Sequence, residues 1–108
     1  MPAINEELKV VCPNGKIVRW TGKEVAYGEW PEGISNTGFS ITIYEIPQGS
    51  LVASIYDAAE GQEDVVVGPS QAFLISRLRH HEWAQNDDFM AALQNAFPEE
   101  EIWTEVIE

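Results

Sequence analysis

Apolar and polar residues alternate with a period of two up to Gly68 and then shift to the spacing of an α-helix. Leu8–Cys12 (LKVVC) and Lys16–Trp20 (KIVRW) flank Pro13-Asn14-Gly15, where Asn-Gly supplies the positive φ values that a tight hairpin needs. Thr21-Gly22 reads as a break before a weaker strand, Lys23–Trp30 (KEVAYGEW). Residues 31–38 (PEGISNTG) hold Pro, two Gly, Ser and Asn, and read as loop. Phe39–Ile46 (FSITIYEI) is the cleanest strand, with Phe39, Ile41 and Ile43 alternating with Ser40, Thr42 and Tyr44, which predicts one dry face. Pro47-Gln48-Gly49 turns the chain into Leu51–Asp57, Ala58–Gln62 is loop, and Glu63–Val67 is a short last strand. Short strands joined by short turns predict an antiparallel meander.

Gly68-Pro69-Ser70 opens the helical part, with Ser70 the expected N-cap. Gln71–Trp83 then places Leu74, Ile75, Leu78 and Trp83 on roughly one face. Asn86 or Asp87 caps a second helix whose apolar set is Phe89, Met90, Leu93 and Phe97. Pro98 stops it and suits the start of a third, with Glu99, Glu100 and Glu101 in a first turn that favours acids. Ile102, Trp103, Val106 and Ile107 keep helical spacing, with Glu101–Glu108 as a strand the alternative. The expected fold class is therefore α+β within a single domain, residues 1–108. Its first part, 1–67, forms an antiparallel β-meander sheet of five or six strands. Its second, 68–108, contributes two or three C-terminal helices packed on one face.

Charge changes the picture. Eighteen acids against six Lys and Arg leave a net charge of −12 and a pI near 4.3. Residues 1–54 hold six acids and four bases, whereas residues 55–108 hold twelve acids and only Arg77 and Arg79. Direct binding to nucleic acid is excluded, because it needs a basic face, and docking on an anionic membrane is disfavoured for the same reason. No apolar run is long enough to span a bilayer. The first seven residues lack the basic and apolar regions of a signal peptide, and a single cysteine, Cys12, cannot form an intramolecular disulfide. The expected location is cytoplasmic.

The residues offer little for catalysis. A Cys12 nucleophile needs a base, and the histidines, His80 and His81, sit far along the chain at a helix end. Being adjacent, they point about 100° apart on a helix and do not make a metal pair. They are instead expected to favour the helix C-terminus and to pair with Glu82, Asp87 or Asp88. No phosphate-cradling Gly-rich loop, Gly-x-Ser-x-Gly or EF-hand loop is present. No enzyme activity, cofactor or metal is expected. Of the four tryptophans, Trp20 is expected in the core and Trp30 partly at the surface, while Trp83 and Trp103 lie beside acidic stretches.

These features lead to the expectation of a small acidic binding protein that neutralises a basic, nucleic-acid-acting partner, with a homodimer as one further form. In size and charge it resembles toxin-immunity proteins, antitoxins and phage anti-defence proteins that act as DNA mimics. The expected contact residues are Asp87, Asp88, Glu99, Glu100, Glu101 and Glu105 for charge, with Trp83 and Trp103 as anchors. The alternative is a structural or assembly subunit whose acidity serves solubility. Reversing Glu99, Glu100 and Glu101 to Lys is expected to leave the fold intact and abolish partner binding; a binding assay at low salt that shows no change would remove this segment from the interface.

Overall fold

The Asn14-Gly15 turn closes the first hairpin as the sequence predicts. Gly15 takes φ +85°, and its N–H bonds to the Cys12 carbonyl at 2.9 Å. The Asn14 side chain accepts from Lys16 N–H at 2.9 Å. The computed structural model describes residues 6–31, 37–99 and 103. The turn joins β1 (Glu6–Val11) to β2 (Ile17–Trp30). β3 (Phe39–Glu45), β4 (Leu51–Asp57) and β5 (Gln62–Gly68) follow, and the five antiparallel strands lie in the order β1-β2-β3-β4-β5. The fold is α+β, a meander followed by two helices.

The break expected at Thr21-Gly22 is absent, since β2 runs through it for 14 residues. Gly22 is where β2 changes partner: it is the last residue paired with β1, and Lys23 is the first paired with β3. A Cβ at Gly22 would lie 2.9 Å from the Glu45 carbonyl oxygen. The glycine therefore admits the end of β3 rather than ending the strand. The β1–β2 hairpin forms a second, smaller packing region. Val10, Cys12 and Val52 are buried there, and Trp20 meets Tyr44 edge-on at 5.5 Å.

The main core lies on the other side of the sheet. Phe39, Ile41 and Ile43 of β3 and Ala53 and Ile55 of β4 face the helices and are buried. α1 (Gln71–Arg79) covers them with Leu74, Ile75 and Leu78, and α2 (Asp87–Ala96) with Phe89, Ala92, Leu93 and Ala96. Ser70 caps α1 by accepting from Phe73 N–H at 3.4 Å, and Asn86 caps α2 by accepting from Asp88 N–H at 2.8 Å. The first helix ends earlier than its apolar pattern suggests. His81 is extended, and the chain resumes as a 3-10 turn, Glu82–Gln85, that carries Trp83. The third helix expected after Pro98, and its strand alternative, lie outside the described residues except at Glu99 and Trp103. Among the described residues no helix is long and apolar enough to cross a membrane.

α2 lies directly on β2. A Cβ added to Gly28 would collide with Ala96 N and the Ala92 carbonyl oxygen, both backbone atoms. Gly28→Ala is therefore expected to lift the helix from the sheet. Overpacking of this kind costs about 1–3 kcal/mol, which lowers Tm by roughly 4–8 °C per kcal/mol in a domain of this size. Thermal unfolding followed by circular dichroism checks this, and an unchanged Tm would contradict the close packing.

Candidate functional site

Two regions concentrate polar chemistry. The first is a half-buried node that ties the helical part to the sheet. Asp64, on β5, pairs with Ile55 and so points toward the helix side, where a carboxylate must find partners. It accepts from the ring of His81 (Nε2 to Oδ2, 2.7 Å), from its neighbour's backbone at Val65 N–H (2.8 Å), and from the Cys12 thiol. The other nitrogen of His81, Nδ1, accepts from Trp83 N–H at 3.0 Å, so the hydrogen carried by the neutral ring sits on Nε2. The ring stacks against Phe89, with centroids 6.0 Å apart, and meets Trp83 edge-on at 4.9 Å.

This node does not activate a nucleophile. His81 commits both nitrogens, and Asp64 lies between it and Cys12, whereas a catalytic triad needs the imidazole against the thiol. Burial, and then the hydrogen bond to Asp64 and its negative charge, push the Cys12 thiol up, away from the reactive thiolate. Burial also pushes the Asp64 carboxyl up, but the hydrogen bonds from His81, Val65 N–H and Cys12 outweigh it and hold the group below its ordinary value. Among the described residues no cluster of three or more His, Cys, Asp or Glu is placed to hold a metal ion. The pairing of His81 with Glu82, Asp87 or Asp88 is thus corrected to Asp64. His80 instead donates from Nδ1 to the Ser76 carbonyl at 2.7 Å.

The second region is an acidic end of the molecule. The β4–β5 turn carries exposed Glu60, exposed Glu63 follows near the start of β5, and Asp57 closes the turn by accepting from Ala59 and Glu60 N–H at 3.1 and 3.3 Å. The Asp64–His81 bond brings the 3-10 turn, with exposed Glu82, to the same end. Phe39, paired with Asp57, packs on Trp83 and Phe89, which brings the start of α2 there with exposed Asp87 and half-buried Asp88.

The sequence-expected contact residues therefore separate. Trp83, Asp87 and Asp88 share this end with Glu60, Glu63 and Glu82, which charge counting had not singled out. Glu99 follows the far end of α2, a helix about 15 Å long, and Trp103 sits between Phe97 and Arg79. Glu100, Glu101 and Glu105 are outside the described residues. Both tryptophans are half-buried against the core. Trp83 packs its ring on Phe39 and His81, while Trp103 donates to the Phe97 carbonyl at 2.7 Å beneath the Arg79 guanidinium. Asp64 had one legible signal, a carboxylate on the inward side of a strand, but nothing local pointed to His81.

Compared with models of known protein families, with curated proteins and with solved structures, the chain matches none. Function is therefore read from geometry and charge.

The half-buried node makes a prediction about acid stability. The folded-state pKa of Asp64 is depressed, so its stabilisation is present above the unfolded value near pH ~4 and is lost as pH falls through the folded value. Asp64→Asn is expected to cost about 1–3 kcal/mol at pH 7. The gap from wild type should shrink well below pH ~4. Urea unfolding at both pH values measures this; an equal gap at both would show that the carboxylate charge is not what stabilises.

Proposed function

We propose that this chain is a non-catalytic binding protein that neutralises a basic partner, and that the partner acts on nucleic acid. What carries the reading is the acidic end itself: Glu60, Glu63, Glu82 and Asp87 are exposed on a tight turn, the start of β5, a 3-10 turn and a helix start that the buried core and the Asp64–His81 bond hold together. With 18 acids against six Lys and Arg, most carboxylates have no internal cation to pair with. Among the described residues Lys23 does pair with Glu45, at 3.5 Å, away from this end. Carboxylates on a rigid frame need no reordering when they meet a positive surface, and complementary charge speeds encounter and selects the partner. Proteins that hold phosphate backbones present basic grooves or patches. A body of this size and sign fits such a groove in place of nucleic acid, and inhibition follows from occupancy.

The test is capture on immobilised protein from nuclease-treated lysate, with wild type beside the Glu60→Lys/Glu63→Lys/Glu82→Lys variant. The expected result is one stoichiometric basic protein held at low salt, released by a salt step, and lost on the variant. Capture equal on both surfaces, or resistant to salt, would overturn the reading. Self-association of the chain as the sole event would favour an assembly subunit.

A further inference from the structure

The face of the sheet turned away from the helices carries its own pattern. Strand register sets Glu29, Ser40, Tyr56 and Glu63 side by side across β2, β3, β4 and β5. Because each pair is directly opposite, all four project to this one face, in a row about 14 Å long at the usual strand spacing. The neighbouring row starts with Tyr27. Tyr27 and Tyr56 are exposed at 47% and 39%, high for rings on the middle of a sheet. The Tyr27 hydroxyl donates to Glu29 Oε2 at 3.0 Å and receives a bond from Ser40. These contacts orient the hydroxyl end of the ring. Burial, and then the hydrogen bond and charge of Glu29, push the phenol up, so it stays a neutral donor.

Tyr27, Glu29, Ser40 and Tyr56 line an open cleft of about 470 Å³, together with Trp30 and Pro31. No Lys or Arg is among its lining residues. Ala58, the first residue of the β4–β5 turn, also lines the cleft, which puts the cleft beside that turn.

We propose that this cleft receives an arginine side chain of the basic partner, its guanidinium lying on the exposed tyrosine rings and facing the Glu29 carboxylate. The chemistry selects the ligand. Aromatic faces attract cations, and arginine, planar and weakly hydrated, stacks on them more readily than lysine. The carboxylate supplies charge that a guanidinium neutralises; a neutral sugar hydrogen-bonds to it but leaves the charge uncompensated, and an anionic group is repelled. This inference rests on the reading of the chain as a binder of a basic protein, and adds where one side chain of that protein goes.

The test is amide-resolved NMR titration of the intact chain with acetyl-Gly-Arg-Gly-amide, with the glutamine analogue of that peptide and glucose as neutral probes. The expected result is saturable shifts centred on Tyr27, Glu29, Ser40 and Tyr56 with the arginine peptide alone. Tyr56→Ala should weaken binding about two- to fivefold, and Glu29→Gln, which keeps the shape of the side chain, should also weaken it. Shifts spread evenly over all exposed carboxylates, equal shifts with glucose, or unchanged affinity in both variants would overturn the cleft. If the cleft fails while the charge-reversed surface still loses the captured partner, only this inference falls. If the peptide binds the cleft but no basic partner is captured, the cleft stands as an arginine site and the functional reading falls.

Discussion

Ile41, Ile43, Ala53 and Ile55 line one face of the central strands with no exposed surface, and keeping that face dry constrains every other element. Two short helices supply the cover. Neither is long enough to be stable alone in water, so each exists because its apolar side is needed there. The tightness of the fit shows at Gly28, where the backbone of α2 occupies the space a side chain would take. Strand pairing then transmits the constraint outward: once one face of β3 and β4 is committed to the helices, Ser40, Thr42, Tyr56 and their neighbours must take the other.

The surplus negative charge is compatible with this core because it stays outside it. Asp57 and Asp64 are the acids drawn inward among the described residues, and each is satisfied, Asp57 by turn amides and Asp64 by His81, Val65 and Cys12. The other described carboxylates are exposed or half-exposed, and mutual repulsion between charges at the surface is screened over about 10 Å. The repulsion that remains lowers stability. Collecting exposed acids at the β4–β5 turn and the start of α2 concentrates that repulsion instead of diluting it. Solubility alone does not call for such a grouping, which is why the acidic end is read as a binding surface.

Cys12 and the histidines illustrate how tertiary contact changes chemical meaning. In the sequence they are a thiol in a hairpin arm and a polar pair at a helix end. Folding places Asp64 between Cys12 and His81, and the same three residue types that build catalytic centres become a structural clamp. The order of contact decides this: a thiol beside a carboxylate is held protonated, whereas a thiol beside an imidazole is activated.

Local physics made much of the fold legible in the sequence. The Asn14-Gly15 turn, the alternation in Phe39–Glu45, the Ser70 and Asn86 caps and the buried faces of both helices each depend on residues within a few positions of one another. Charge, too, was readable by counting. The tertiary structure alone decided what depends on distant partners. It carried β2 through Gly22, because β3 approaches there. It ended α1 at Arg79, because His81 turns to reach Asp64, 17 residues back along the chain. It also separated Asp87 from Glu99 by the length of a helix and joined Asp87 to Glu60 and Glu82. Total charge is a sum over residues, but where that charge faces a partner depends on which strands and helices share an end, and no local pattern encodes that.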